Sequence, residues 1–268
     1  MSNVDAHQAP GSPRAANALP EGTFRPNPQR ASLMTMALAQ GKIESKLLLR
    51  HGEQLLVNIL IPAALLVVAS IVPIFENTSF NELVPMVFAV AATSAGFTGQ
   101  AIALAFDRRY GALKRTGASG VPAWTIIVGK IIGVLTTVAV QIVVLGAVAF
   151  YLGWRASGIG ILCGLCTLIV GVAAFSAMGL LMGGTLSSEM VLALANLCWL
   201  VLMGIVGWVQ YSGDIGQAGA WNIVPTVALA GALTKALVVS FNWQAWLSLV
   251  CWAVAAMAAA ARWFRFDG

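Results

Sequence analysis

From residue 55 onward, apolar runs about twenty residues long alternate with short polar stretches. At 1.5 Å per residue a helix of that length crosses a hydrocarbon core ~30 Å thick. The pattern predicts six such spans, over residues 55–75, 83–106, 123–154, 159–184, 190–209 and 243–261. The third is long enough to tilt or to extend past the bilayer. Between residues 210 and 242 the apolar stretches are too short or too interrupted to cross. That segment is expected outside the bilayer, or dipping in and returning.

Ahead of the spans, residues 31–54 have a different rhythm. Leu33, Met36, Leu38, Ile43, Leu47 and Leu48 are interleaved with Lys42, Glu44, Lys46, Arg50 and Glu53. Spacings of three and four gather the apolar set on a broad helical face. An amphipathic helix in the headgroup layer is expected, with its cations toward anionic lipid. A soluble helix packed on a partner is the alternative. Residues 1–30 hold five of the ten prolines and almost no apolar periodicity, which predicts a disordered tail. No apolar core of signal-peptide length occurs there, so the first span is expected to act as the insertion signal.

Composition agrees with a membrane chain: 59% of residues are hydrophobic, 9% are charged, and the mean hydropathy is +0.85. A soluble domain carries about a quarter charged residues. In a soluble protein the pI near 9.3 would suggest nucleic acid. Here the cations cluster beside the ends of apolar runs and read as topology signals, so no nucleic acid is expected. Six Lys or Arg precede residue 55, four lie between spans two and three, and two follow residue 261. Only Arg155 and Lys235 fall on the other side, and Lys130 lies within a span, from which it can snorkel inward. Both termini are therefore expected in the cytoplasm and Asn77 and Gly213 outside. The fold class expected is an all-α integral membrane protein of the cell membrane: six transmembrane helices preceded by an amphipathic interfacial helix.

The most informative stretch joins spans two and three, AFDRRYGALKRTGASGVPAWTIIVGK from Ala105 to Lys130. Its Asp107, Arg108, Arg109, Lys114 and Arg115 would cost roughly 2.5 to 3.5 kcal/mol each at a bilayer centre, so residues 107–122 lie outside the hydrocarbon. Gly111, Gly117 and Gly120 permit tight turns, Pro122 resists a continuous helix, and Tyr110 and Leu113 offer apolar contact among the charges. This stretch resembles the cytoplasmic loop in permeases of type-2 ABC exporters, the daunorubicin-resistance-like group. The matching residues are Asp107, Arg108, Arg109, Gly111, Leu113, Pro122, Gly129 and Lys130.

The resemblance implies a half-transporter that pairs with a second permease copy, as a homodimer, and with two copies of a separate ATPase. Residues 107–122, with Tyr110, Lys114 and Arg115 among them, would then be the ATPase-coupling loop. A plain basic topology loop is the alternative reading. ATP and its Mg2+ are expected on the partner, because this chain has no GxxxxGK[ST] loop to cradle phosphates. No cofactor or catalytic residue is expected here.

Small and polar residues inside the spans are candidates for a substrate path. Thr93 and Gln100, seven apart and hence on one helical face, are joined by Asn196 in span five; each could instead tie helices together, as could Gln141. Glycine pairs at 129 and 133, 160 and 164, and 179 and 183 suit close helix packing, within one chain or between two. Cys163 and Cys166 form a CxxC inside an apolar run without a nearby His, so no metal site is expected. Ionisable groups are absent deep in the spans, which disfavours an ion-coupled pump. The function expected is ATP-driven export of a hydrophobic or amphipathic small molecule or lipid. The alternatives are polysaccharide export and a non-transporting membrane scaffold.

Overall fold

The computed structural model describes residues 31–50, 52–72, 78–118 and 120–263. The tail expected over residues 1–30 lies outside them, as do Asn77 and residues 264–268.

Among the described residues every regular element is helical. The amphipathic stretch becomes α1 (Leu33–Arg50), followed by α2 (Gly52–Ile71). A long rod then runs through α3 (Phe80–Thr93), a π-helical turn (Ser94–Gly99) and α4 (Gln100–Arg109). After the short α5 (Ala112–Ala118) come α6 (Ala123–Tyr151), α7 (Gly158–Thr185) and α8 (Ser188–Ser212). Two 3-10 turns, Ile215–Gln217 and Gly219–Ile223, lead into α9 (Pro225–Leu237), and α10 (Trp243–Trp263) closes the chain.

Among the described residues five helices have the length and apolar content to cross a membrane: Phe80–Arg109, Trp124–Tyr151, Gly158–Thr185, Ser188–Ser212 and Trp243–Trp263. The first of the six expected spans is represented by α2, whose described apolar stretch, Asn58–Ile71, is shorter. The second extends beyond the expected bounds at both ends. The third stops at Tyr151, and Trp154 folds back to meet the Phe88 ring edge-on at 5.8 Å. Local chemistry sets several boundaries. Pro122, with ψ 143°, is extended just before α6, and Ser157 accepts a bond from the Gly160 amide at 3.0 Å as α7 begins. Pro225 sits in the first turn of α9, where its missing N–H costs nothing.

Helix α7 is the axis against which α4, α6, α9 and α10 pack. The three glycine pairs all serve packing within the chain. Gly129 and Gly133 receive Gln40 and Glu44 of α1, Gly160 and Gly164 receive Leu237 at the end of α9, and Gly179 and Gly183 receive the backbone of Phe97 and Ala101. A Cβ at Gly179 would lie 2.5 Å from the Phe97 carbonyl oxygen, so only glycine lets these backbones approach.

The segment expected over 210–242 is a packed element. α9 is buried on nearly all sides between α3, α7 and α10. At 13 residues it is about 20 Å long, too short to cross a bilayer. It is apolar all round because it is enclosed all round.

Candidate functional site

The rod's last turn, α5 and the start of α6 form a hairpin on which the predicted coupling residues sit. Its backbone is mostly helical rather than an open loop. Gly111, at φ +68°, ends α4 in the left-handed conformation that glycine adopts at little cost, and Gly120, at φ +77°, turns the chain toward Pro122 and α6. Gly117 lies within α5, and its carbonyl oxygen accepts from the Gly120 amide at 3.1 Å where that helix ends.

Three of the hairpin's side chains anchor it. Arg108 is buried, and its Nη1 donates to the carbonyl oxygens of Gly183 and Leu186 at 2.9 Å each. These groups lie at the C-terminal end of α7, where unpaired carbonyls concentrate negative potential, so a buried guanidinium is favourable there. Leu113 is buried among Leu104, Ile126, Ile127 and Leu180. Asp107 accepts from Lys130 Nζ at 2.8 Å, and the same ammonium lies 3.1 Å from Glu44 Oε1. Glu44 also accepts from Gln40 Nε2 at 3.0 Å. Lys130 is only 4% exposed, so it does not snorkel out; it stays between two carboxylates because they offset its desolvation.

The remaining side chains face outward. Arg109 donates to Ser188 Oγ at 3.1 Å and pairs with Glu189, which ties the hairpin to the first turn of α8 while leaving its side chain half exposed. Tyr110 is exposed and stacks on Phe106 with ring centroids 6.0 Å apart. Lys114 and Arg115 are exposed on α5. The sequence grouped these residues in one stretch but did not separate those that anchor the hairpin from those exposed on its surface. Gln40 and Glu44 were missed as parts of the site, because nothing local links them to Asp107 and Lys130.

The predicted path residues are dispersed. Thr93 is fully buried, and its hydroxyl donates to Ala89 O at 2.8 Å within its own helix. Gln100 lines a cavity of about 40 Å3 with Asn58, Gly99 and Thr137, and its Oε1 has no hydrogen-bond partner among the described residues. That space suits a water or a few rather than a cargo. Thr93 and Gln100 do not share a face, because the π turn between them has i→i+5 bonds and lags the α-helical rotation by roughly 15–20° per residue. Gln141 donates to the Asn58 carbonyl oxygen at 2.6 Å and joins α6 to α2.

An apolar groove of about 330 Å3 lies between α2, α3 and α8. Pro62, Met86, Trp199 and Met203 line it, with Asn58 and Ser94 as its polar members. Asn196 is exposed and donates to Leu192 O at 2.7 Å. It stands three residues before Trp199 and seven before Met203, so it extends the groove-facing side of α8 by a turn.

The model of the ABC-2 type transporter family matches residues 38–261, from within α1 to within α10. The chain belongs to the ABC-2 type transporter family. Comparison with curated proteins and with solved structures gives no match. An ABC-2 permease is the membrane component of an ABC transporter, and the family works in general with a partner ATPase. Among the described residues of this permease no group of three or more His, Cys, Asp or Glu could hold a metal ion.

Proposed function

We propose that this ABC-2 permease is one half of an ATP-driven exporter of the daunorubicin-resistance-like kind, and that its cargo is a hydrophobic or amphipathic small molecule or lipid. The observation that carries the reading is the hairpin. Arg108 and Lys130 hold it firmly to α7, α6 and α1, while Arg109, Tyr110, Lys114 and Arg115 remain displayed at its tip. Such a part can be pushed as a unit, as coupling to ATPase closure requires. In this reading α2 is the first of six spans, the hairpin and both termini are cytoplasmic, and two permease copies and two ATPase copies assemble in the cell membrane. ATP and Mg2+ belong to the ATPase.

Cargo moves by alternating access along the groove between α2, α3 and α8, with Asn196 on the same side of α8 and Gln100 in a separate small cavity that shares Asn58 with the groove. The groove's apolar lining supports a greasy cargo. A polysaccharide exporter is the second reading, supported by a polar pocket of about 580 Å3 at the opposite end, which includes Glu82, Gln210, Asp214 and Lys235.

A single cysteine at position 114, in a background lacking the four native cysteines, tests the coupling reading. It should cross-link to the co-expressed ATPase in membranes, and one at position 213 should not. Cross-linking from 213 alone would reverse the proposed topology.

A further inference from the structure

We propose that α1 is a binding element for anionic phospholipid headgroups, and that its occupancy is passed to the coupling hairpin through Lys130. Two faces of the same helix carry this. Lys42, Lys46 and Arg50 repeat every four residues and form an exposed line along α1. Exposed Leu38 and Leu49 flank that line on one side, and Ile43 and Leu47 on the other, at 39% to 56% relative exposure. Cations bordered by exposed aliphatic side chains match a bilayer surface, where headgroup charge and acyl carbon lie a few ångströms apart. One residue separates α1 from α2 in sequence, and α2 contains the apolar stretch Asn58–Ile71.

The opposite face of α1 is committed to α6. Ala37 and Gly41 are buried, and a Cβ on Gly41 would lie 2.7 Å from Ile132 Cγ2, so the two helices touch closely. From this face Glu44 reaches Lys130 at 3.1 Å, and Lys130 reaches Asp107 at 2.8 Å. Asp107 lies in the last turn of α4, where a negative charge opposes the helix dipole unless a cation offsets it. Lys130 supplies that cation and is itself held in part by α1. Headgroups that hold the outer face of α1 keep Glu44 in place, keep Lys130 between its two carboxylates, and so steady the hairpin that begins at Gly111. The binding site is a short cationic ladder, and its ligand is a phosphate-bearing anionic headgroup.

The lipid-retention and exchange measurements use the full-length permease without its ATPase, which is added only in a final binding arm, so they stand apart from the export reading on which the regulatory consequence rests. The chain is placed in nanodiscs of phosphatidylcholine alone or with about a third phosphatidylglycerol. Lipid retention is read by native mass spectrometry, and amide exchange is followed over residues 107–118. Phosphatidylglycerol should be retained preferentially and should slow exchange in that segment. Replacing Lys42, Lys46 and Arg50 together by Gln should reduce the preference by roughly fivefold per cation, on the order of a hundredfold, and abolish the slowing. Lys130→Met should keep lipid binding and lose only the slowing. Asp107→Asn serves the same purpose if the Lys130 variant does not fold. An undiminished preference in the triple variant overturns the proposal, as does slowing that persists in the folded Lys130 or Asp107 variant. So does a tenfold loss of ATPase affinity by the triple variant in pure phosphatidylcholine, because the face would then be an ATPase surface. A free phosphate source is separated by adding inorganic phosphate to phosphatidylcholine discs, which should not reproduce the slowing.

Discussion

Lys130, two turns into α6, holds Asp107 of α4 at 2.8 Å although the two are 23 residues apart in sequence. The ammonium is buried; the carboxylate keeps 39% of its side chain exposed, and Glu44, on the other side, keeps 13%. The cation therefore suffers most of the desolvation and depends on both anions. Lys130→Met would leave the anions facing each other without compensation. Breaking a fully buried pair costs about 3–5 kcal/mol, and water at Asp107 recovers part of that, so a loss of about 2–3 kcal/mol is expected. Adding Glu44→Gln and Asp107→Asn should restore most of it. Denaturation in detergent checks both steps, and an additive triple variant would show that the three groups do not act together.

Arg108 and Arg109 are adjacent but should respond differently to the same change. Arg108→Gln removes a charged donor from two carbonyls at the end of α7, worth about 1.5–3 kcal/mol of stability. Arg109→Gln affects a half-exposed pair with Glu189, so thermal stability should hold while ATPase binding weakens. Melting curves and ATPase pull-down on the two variants separate these roles.

The helices were legible in the sequence because long apolar runs leave few alternatives, and the hairpin was legible because charge cannot be left in hydrocarbon. Other features depend on contacts that no local pattern encodes. Arg108 and Arg109 look alike in a basic run, and only the α7 carbonyls within reach of Arg108 distinguish an anchor from a displayed charge. Thr93 and Gln100 seemed to share a face because a seven-residue spacing assumes an unbroken α-helix, and the π turn at Ser94–Gly99 invalidates that assumption. The sequence showed α9 only as a stretch too short to cross, because its enclosure by α3 and α7, which are far away in sequence, leaves no local mark. α8 is apolar on most sides and carries two amides, so only the packed structure shows that Asn196 is exposed and Gln210 buried.

The glycine contacts predict a matched pair of variants in the packed spans. A Cβ at Gly183 would run into the Ala101 carbonyl oxygen, backbone that cannot swing aside, whereas at Gly146 nothing lies within 4 Å. Gly183→Val should separate α7 from α4 and cost about 1–3 kcal/mol or more. Gly146→Val should leave the melting temperature unchanged. Equal behaviour of the two would mean that the α4 to α7 contact is looser than its geometry requires.

The groove gives the sharpest test of the transport reading. Trp199 is a large partly buried ring whose indole Nε1 has no hydrogen-bond partner among the described residues, beside Met203, a side chain that adapts its shape readily. Trp199→Ala would enlarge a space of about 330 Å3 without disturbing Leu66 or Val84, which are buried in the adjoining core. Cargo preference should shift toward bulkier molecules, with expression and melting temperature little changed. Met203→Trp should have the opposite effect and exclude the larger cargoes. Asn196→Leu, a turn away on the same side of α8, should weaken transport of cargo with a polar end more than of cargo without one, since its amide offers hydrogen bonding on an otherwise apolar approach. Transport into inverted vesicles, or drug resistance in cells bearing the permease and its ATPase, reads all three. If both size variants alter stability and leave the cargo range untouched, the groove is a packing seam between helices or between permease copies, and the path lies elsewhere.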